Sequence, residues 1–305
     1  MTSTTPAISS FRRRSTFFRR RRLGGLLLTL PALVFVVLFF FAPLALMGWM
    51  SLTNWPLIGS ARFIGIANYL RLLSDSTFLS SLVVSLTFVV VATPLTVLLG
   101  LGLALMLRRN RPGVGVYRAI YFIPLVIGFA PAAYIWLWLL NPDVGVVDRI
   151  LLDVGATAQN VQWLSNTGTA LLSAVTLFVW KTVGFSMLLL IGGLQSVPAE
   201  LTEAAAVDGA SRWRTFVSVT LPVMRRTVAL VLIFSTVGSF LVFEPFYILT
   251  RGGPGASTTG VVQWIFGTSF FNFELGYGAA ASFVLLAILL FFTAFQLRAM
   301  RDEEQ

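Results

Sequence analysis

Glu203-Ala204-Ala205-Ala206-Val207-Asp208-Gly209, followed after a nine-residue spacer by Val219-Thr220-Leu221-Pro222, separates two long hydrophobic segments of this 305-residue chain. Residues 169–192 precede this insert and residues 223–249 follow it, and each segment is long enough to cross a bilayer as a helix. An alanine-rich polar insert between them predicts a short helix at the membrane surface, because alanine favours helix and lets another surface approach closely. The fold class is therefore a set of membrane helices joined by at least one surface helix.

The composition of the chain is that of a membrane protein. Hydrophobic residues make up 57%, charged residues 11%, and the mean hydropathy is +0.86, whereas soluble domains carry roughly 25% charged residues. The chain has no Cys and no His, which excludes disulfides, thiolate metal sites and imidazole chemistry. No soluble segment is long enough to bury its own core. We predict an all-α integral membrane protein with no catalytic residues, no metal site and no enzymatic activity of its own.

Six segments are long and apolar enough to span a bilayer. They cover residues 23–49, 78–107, 117–140, 169–192, 223–249 and 277–297. Prolines inside them, such as Pro94, Pro124, Pro131 and Pro245, are tolerated because neighbouring helices satisfy the carbonyls that proline frees; we expect most of these prolines to shape packing only. The predicted organisation is a basic tail at 1–22, a transmembrane domain at 23–298 with a surface loop at 196–222, and a tail at 299–305.

The arginines predict the orientation. They concentrate before the first span and in the loops at residues 108–118, 212–226 and 298–301, while the opposite loops hold only Arg62, Arg71, Arg149 and Arg251. By the positive-inside rule both termini and the 196–222 loop face the cytoplasm. The net charge of +10 thus reflects membrane topology, and no nucleic-acid partner is predicted. The predicted location is the cell (inner) membrane, with lipid around a multi-pass chain.

The polar loop carries the signals of a short helix and its end. Pro198 suits a first helical turn, and Glu200 and Glu203 lie where carboxylates favour the positive end of the helix dipole. Gly209 can adopt the left-handed geometry that ends a helix. Ser211 is a candidate cap for a second short helix.

That second helix would carry Arg212 and Arg214. Leu221-Pro222 then marks the beginning of span five.

The loop resembles the cytoplasmic coupling loop of ABC importer permeases, whose pattern is Glu-Ala-Ala, three residues, Gly, nine residues, Ile, one residue, Leu-Pro. Every fixed position matches, except that Val219 replaces Ile. Other stretches resemble the maltose-transporter type of this family and together cover most of residues 23–298. They are Trp180-Lys181-Thr182, Gly184-Phe185, Gly193-Leu194-Gln195-Ser196-Val197-Pro198, Phe243-Glu244-Pro245 through Gly252-Gly253-Pro254, Gly276-Tyr277-Gly278-Ala279-Ala280, and Phe63-Ile64-Gly65 with Asn68-Tyr69.

The resemblance implies a type I ABC importer permease fold and a role for the loop. In this family the coupling helix lies in a groove of the ATPase subunit. By analogy Glu203 makes polar contact near the groove, Ala204 and Ala205 allow close approach, and Gly209 makes the turn. The full predicted coupling set is Glu200, Glu203, Ala204, Ala205, Asp208, Gly209, Ala210, Arg212, Leu221 and Pro222.

The resemblance also implies partners. A permease of this family pairs with a second, usually different one, binds two ATPase subunits, and receives substrate from an extracytoplasmic solute-binding protein. This chain has no phosphate-binding Gly-Lys-Ser/Thr loop, so ATP and magnesium are expected on the ATPase subunits and no cofactor on this chain. The substrate implied is a sugar or related solute: an oligosaccharide, a monosaccharide or glycerol-3-phosphate.

The translocation pathway is predicted from spans four and five. Lys181 and Glu244 are the ionisable residues placed inside the spans, and such residues usually face a cavity or one another. A Lys181–Glu244 pair and snorkelling of Lys181 to the interface are both open. Aromatic and polar residues suited to sugar recognition complete the candidate set: Trp180, Lys181, Thr182, Ser235, Ser239, Phe243, Glu244 and Tyr247.

The loop after span five contains Gly252-Gly253-Pro254. It suits a tight turn or contact with the solute-binding protein, and we favour the second.

Two alternatives stay open. The chain could be an ABC permease for a non-carbohydrate solute, because the coupling pattern alone permits it. A multispan membrane enzyme is the other alternative, although no cluster of Asp, His or Arg stands at a span end.

Overall fold

The computed structural model describes residues 29–56, 58–109 and 111–299. The 1–22 tail, the first residues of the predicted span one and all but the first residue of the 299–305 tail lie outside this part of the chain. Within it the protein is helical, and β structure is limited to the isolated bridges Thr53–Phe63 and Pro56–Glu274. The all-α prediction is confirmed.

Twelve helical elements organise the described residues. They are α1 (Thr29–Ser51), α2 (Ala67–Ser74), α3 (Ser76–Leu107), α4 (Val114–Val126), α5 (Phe129–Leu139), α6 (Val146–Asp153), α7 (Thr167–Gln195), α8 (Ala199–Val207), α9 (Arg212–Thr215), α10 (Arg225–Leu241), α11 (Val261–Phe271) and α12 (Leu275–Ala299). Helical turns at Phe216–Thr220 and Leu221–Val223 link α9 to α10, and the turn Pro245–Leu249, called the 245–249 turn, extends α10.

Five of the described helical segments are long and apolar enough to cross a membrane, and the bent pair α4–α5 is a sixth candidate. The boundaries agree with the predicted spans two, four and six within a few residues. The loops at 108–113 and 196–224 share one end of the bundle, called the coupling end, because α3 and α7 both finish there. The loops at 52–75, 140–166 and 250–274 lie at the other end, called the far end.

The prediction of span three as one helix was wrong. Its two halves, α4 and α5, meet at 101°. Pro131 has no N–H to donate to the carbonyl of Ile127, four residues earlier, and its ring would collide with that carbonyl in a continuous helix. Ile127 and Gly128 are accordingly extended, with ψ of 131° and 151°. Pro131 then lies in the first turn of α5, where no intrahelical donor is needed.

Span five breaks for the same reason. Pro245 lies four residues after Leu241, the last residue of α10, and Val242 is extended with ψ of 133°. The chain then resumes as the 245–249 turn. Pro94, by contrast, lies inside the uninterrupted 32-residue α3. Proline therefore breaks spans three and five, whereas α3 with Pro94 and α1 with Pro43 are continuous.

α7 is the central helix. In α7, 67% of the most apolar 18-residue stretch is buried inside the protein, whereas the corresponding share for α1 is 0%. α1 packs against α12 at the edge of the bundle. Glycine allows close approach at α7: a Cβ on Gly184 would lie 2.0 Å from the Tyr121 carbonyl oxygen of α4, and one on Gly100 of α3 would lie 2.9 Å from Ser186 Cβ. The centre of the bundle is thus built from α3, α4 and α7.

Candidate functional site

The predicted coupling helix is α8, at the coupling end. It begins at Ala199, so Pro198 is the residue just before the helix and not part of its first turn. At its other end Gly209 has φ of +77°, its N–H donates to Ala206 O at 3.1 Å, and the Ala210 N–H donates to Ala205 O at 2.9 Å. This pair of bonds satisfies the last carbonyls of the helix. The prediction that Gly209 ends the helix in left-handed geometry is confirmed.

Ser211 caps the next short helix, α9, as predicted: the Arg214 N–H donates to Ser211 Oγ at 3.3 Å. The chain then passes through Leu221–Val223 to Met224, which is buried, and α10 begins only at Arg225. The turn Leu221–Val223, which contains Leu221-Pro222, is therefore separated from the long helix of span five by one residue, Met224.

The surface made by α8 and α9 is open in the single chain. Apolar side chains are exposed on it, at 88% for Val207 and 73% for Trp213. Of the predicted coupling residues, Ala205, Ala210 and Leu221 are half-buried, and the others are exposed: Glu200, Glu203, Ala204, Asp208, Gly209, Arg212 and Pro222. Exposed small and apolar residues beside Glu200 and Glu203 suit contact with another protein, since large exposed apolar groups mark interaction sites.

Lys181 lies in the interior of the bundle, which is one of the two placements that the sequence left open. It lies in the middle of α7 and is 3% exposed. Its Nζ donates to the carbonyls of Pro124 at 3.3 Å and Leu125 at 3.2 Å, and also to the carbonyl of Ile127. These carbonyls are freed by the break between α4 and α5. The ammonium also lies 4.5 Å from the ring centroid of Phe129.

Snorkelling of Lys181 to the interface is therefore wrong, and it forms no ion pair with Glu244 among the described residues. A cation at the carboxyl end of a helix is favourable because the free carbonyls there carry partial negative charge. Lys181 thus stabilises the bend in span three. The clue in the sequence was Pro131, whose spacing from Ile127 predicts free carbonyls.

The other predicted pathway residues do not form one cluster. Ser239 is buried at 1% exposure and lies 2.9 Å from Thr93 Oγ1, joining α10 to α3. Ser235 is also buried, and its carbonyl accepts from the Ser239 hydroxyl. The Thr182 hydroxyl donates to Phe178 O within α7. These three residues contribute to packing in the single chain.

Aromatic residues lie nearer the far end. Trp180 packs on Trp136 of α5 with ring centroids 6.0 Å apart. Phe243 and Tyr247 stack at 4.6 Å, and both touch Phe266 of α11. Glu244 is half-buried at the break in span five. Tyr247 lines a cavity of 330 Å³, and among the candidates it is the one placed best to meet a solute.

The Gly252-Gly253-Pro254 loop is a compact turn. Gly252 has φ of +73°, and a Cβ there would lie 2.7 Å from Thr259 Oγ1. Thr258 is fully buried and its hydroxyl donates to the Gly253 carbonyl at 2.6 Å. The tight-turn role is confirmed; contact with another protein stays a prediction.

The motif residues of the first loop and of span six meet at the far end. The Asn68 amide donates to the carbonyls of Ser51 at 2.9 Å and Thr53 at 2.8 Å. A Cβ on Gly276 would lie 2.1 Å from Thr53 O. Asn68 and Gly276 therefore hold the end of α1 against the beginning of α12.

Charged residues reinforce this contact. Arg71 pairs with Glu274 at 3.1 Å, and its hydrogen bond to Glu274 raises the pKa of Arg71. Asp75 caps α3 and accepts from the Tyr277 hydroxyl at 2.8 Å. Burial opposes ionisation of Asp75, but hydrogen bonds from Thr77, Phe78 and Tyr277 lower its pKa below 3.8.

Comparison with known proteins identifies the family. Residues 78–301 match the family described as binding-protein-dependent transport system inner membrane component. The chain belongs to this family. It is an ABC importer permease, and hydrolysis of ATP belongs to partner subunits in this family, so the membrane-enzyme alternative is excluded.

Two similar proteins show how far the likeness extends. The trehalose/maltose transport system permease protein MalF of Thermococcus litoralis is 37% identical over 279 residues, with 91% of this chain and 93% of that protein covered. The sn-glycerol-3-phosphate transport system permease protein UgpA of Agrobacterium fabrum is 34% identical over 280 residues, with 89% and 92% covered.

A solved structure agrees with the fold. A bacterial ABC transporter involved in the import of the acidic polysaccharide alginate superposes with a TM-score of 0.80 at 21% identity, covering 96% of this chain and 100% of that one. The predicted type I importer permease fold is confirmed.

Proposed function

We propose that this permease forms half of the pathway of an ATP-driven sugar importer and receives the force of ATP hydrolysis through α8. The observation that carries the proposal is the exposed α8–Gly209 elbow in a chain of this family. Small side chains at Ala204 and Ala205 permit close approach, and the exposed Val207 and Trp213 supply apolar area for a partner. α8 lies in the loop that joins α7 to α10, so a displacement of α8 by an ATPase subunit would reach both spans.

The proposed assembly has four kinds of partner: a second permease, two ATPase subunits that hold ATP and magnesium, a solute-binding protein, and the surrounding lipid. None of the most apolar stretch of α1 is buried against the part of the chain that the structure describes, so α1 would contact lipid or the second permease in the assembly. The solute-binding protein would approach the far end, including the loop at Gly252-Gly253-Pro254. α8 and both termini would face the cytoplasm at the inner membrane, because the arginine-rich loops share its end.

The proposed substrate is a sugar or a related polyol phosphate. The similar proteins named above serve transport of trehalose and maltose, or of sn-glycerol-3-phosphate. The aromatic group of Phe243, Tyr247 and Phe266 at the far end suits stacking on a sugar ring. A non-carbohydrate solute is the alternative. A thermal-shift screen of the solute-binding protein against sugars, sugar phosphates and amino acids separates the two.

Gly209→Asp tests the coupling role. A Cβ at Gly209 would have nothing within 4 Å, so the substitution costs only the strain of a left-handed backbone, about 1 kcal/mol, and adds a charge to the docking surface. Gly155→Asp is the matched control, since Gly155 has φ of +69°, has nothing within 4 Å, and lies in the far-end loop after α6.

Both variants should insert and assemble in amounts close to those of the wild type. We expect Gly209→Asp to abolish ATP-driven uptake into proteoliposomes and Gly155→Asp to retain it. Normal uptake by Gly209→Asp, at equal amounts of assembled complex, would contradict the coupling assignment.

A further inference from the structure

The 330 Å³ cavity at the far end lies between the outer parts of the two broken spans. Its walls are Tyr134 of α5, Tyr247 and Ile248 of the 245–249 turn, Arg251, and Gln263 of α11. α5 and the 245–249 turn are separate short elements because Pro131 and Pro245 interrupt their spans. In secondary transporters, discontinuous membrane helices also form the solute sites. None of the residues lining this cavity is acidic.

Two aromatic side chains face open space here. Tyr134 is 62% exposed and Tyr247 is 37% exposed. The Tyr247 ring is held from behind, by stacking on Phe243 at 4.6 Å and an edge contact with Phe266 at 5.5 Å. A ring fixed in this way offers a preformed apolar face for the C–H groups of a sugar and a hydroxyl for hydrogen bonding.

Gln263 contributes an amide with unused bonding capacity. Its Oε1 is buried and has no hydrogen-bond partner within the described residues. Gln263 and Tyr247 also line a neighbouring cavity of 280 Å³ that includes Thr259 and Asn272. A buried amide oxygen without a partner is costly, so a ligand that lets this amide turn and bond would be stabilised.

Arg251 gives the cavity its charge. Its side chain is exposed and forms no ion pair or hydrogen bond with any other residue that the structure describes. Its backbone has φ of +52°, a region that residues other than glycine rarely adopt. A guanidinium binds phosphate or carboxylate in a planar, two-pronged arrangement. An unneutralised cation beside two aromatic faces therefore favours an anion with a sugar-like body.

We propose that this cavity binds a carbohydrate or polyol unit carrying an anionic group, with Arg251 on the anion, Tyr247 against the carbon skeleton and Gln263 on hydroxyls. The inference rests on the proposed sugar-importer function and narrows its substrate class. Phosphate, carboxylate and sulfonate share the required chemistry.

The test uses the absence of cysteine from the chain. Ile248→Cys gives this chain one thiol, which lies in the cavity. The reaction of that thiol with N-ethylmaleimide is timed in the assembled complex in lipid nanodiscs, and labelling is read from the band of this chain. The probes are two matched pairs: glucuronate against glucose, and sn-glycerol-3-phosphate against glycerol. We expect at least one anionic probe to slow labelling while its neutral counterpart does not. Addition of Arg251→Gln should raise the probe concentration needed for half protection about tenfold.

Arg149→Gln is the control for charge, because Arg149 is an exposed arginine on α6 at the same end; protection should survive it. Equal protection by both members of each pair, no protection by any probe, or a thiol that does not react in the complex would each overturn the inference. ATP hydrolysis stimulated by the solute-binding protein is measured on the same sample. If hydrolysis is coupled but protection fails, only the cavity assignment falls; if no ATPase assembles, the proposed function falls.

Discussion

Lys181→Met removes the ammonium that bonds to three carbonyls at the break in span three. The methionine keeps most of the apolar stem of lysine, so the packing around this position in α7 changes little. The carbonyls of Pro124, Leu125 and Ile127 lose their donor. Water does not readily replace it, because Lys181 is 3% exposed.

The expected cost follows from the three hydrogen bonds that the substitution removes. A buried carbonyl left without a partner costs about 1–3 kcal/mol in water-soluble proteins, and side-chain hydrogen bonds in membranes average about 0.6 kcal/mol. Taking about 1 kcal/mol for each carbonyl, the destabilisation is about 3 kcal/mol. Lys181→Met also removes the cost of burying the lysine charge. This offsets part of the destabilisation and leaves a net destabilisation of about 2 kcal/mol. Lys181→Gln keeps an amide donor and should be destabilised by about half as much.

Thermal unfolding of the purified complex is monitored by size-exclusion chromatography. Uptake into proteoliposomes is measured for the same variants. Thr182→Val is the matched control in the next position of α7, because the Thr182 hydroxyl donates only within the helix, to Phe178 O at 2.8 Å. We expect stability in the order wild type and Thr182→Val, then Lys181→Gln, then Lys181→Met. If Lys181→Met unfolds at the wild-type temperature but loses uptake, the bend does not depend on Lys181 and a direct contact with solute replaces this interpretation.

Three further predictions concern packing and the far end. Gly184→Ala should destabilise the complex by about 2 kcal/mol, because the new Cβ would lie 2.0 Å from the Tyr121 carbonyl oxygen. Gly192→Ala on the same helix meets nothing within 4 Å and should not lower the melting temperature in the same assay, because alanine favours helix over glycine. Asn68→Asp should destabilise the complex by about 3 kcal/mol, because a carboxylate facing two carbonyls replaces the two amide donors. Both the melting temperature and the rate of uptake should fall. The lowered pKa of Asp75 contributes stability that is present above the ordinary carboxyl pKa and is lost as pH falls through the lowered folded value. Melting temperatures measured down to about pH 3 should therefore fall more steeply for wild type than for Asp75→Asn, and equal slopes would refute this.

Much of the architecture follows from local sequence. Spans two, four and six end within a few residues of their predicted bounds, because length and apolar composition suffice to recognise a membrane helix. Gly209 and Ser211 have the predicted capping geometry, since a helix end depends mainly on the few residues that form it. The membership of the family is visible in the same loop, whose spacing from Glu203 to Pro222 is a local pattern.

The candidate solute site at the far end could be predicted from the sequence only in part. Ser235, Ser239 and Thr182 have side chains suited to sugar binding, but their hydroxyls bond to the bundle itself, and residue type does not reveal which way a helix faces. Tyr134 and Gln263 were not predicted at all. They meet Tyr247 only because α5, the 245–249 turn and α11 pack together at the far end, and the sequence separations between them are long.

Sequence alone determined that this chain is a multispanning permease with a short surface helix that ends at Gly209, because hydropathy, charge placement and cap residues act over short stretches of chain. Only the tertiary structure decided what binds the carbonyls freed by the break in span three. Proline frees a carbonyl wherever it interrupts a helix, but the partner of that carbonyl comes from elsewhere in the fold. At span three that partner is Lys181. The sequence predicted Lys181 as a pathway residue, but the packing of α7 against α4 places its ammonium on the freed carbonyls, where it stabilises the bend.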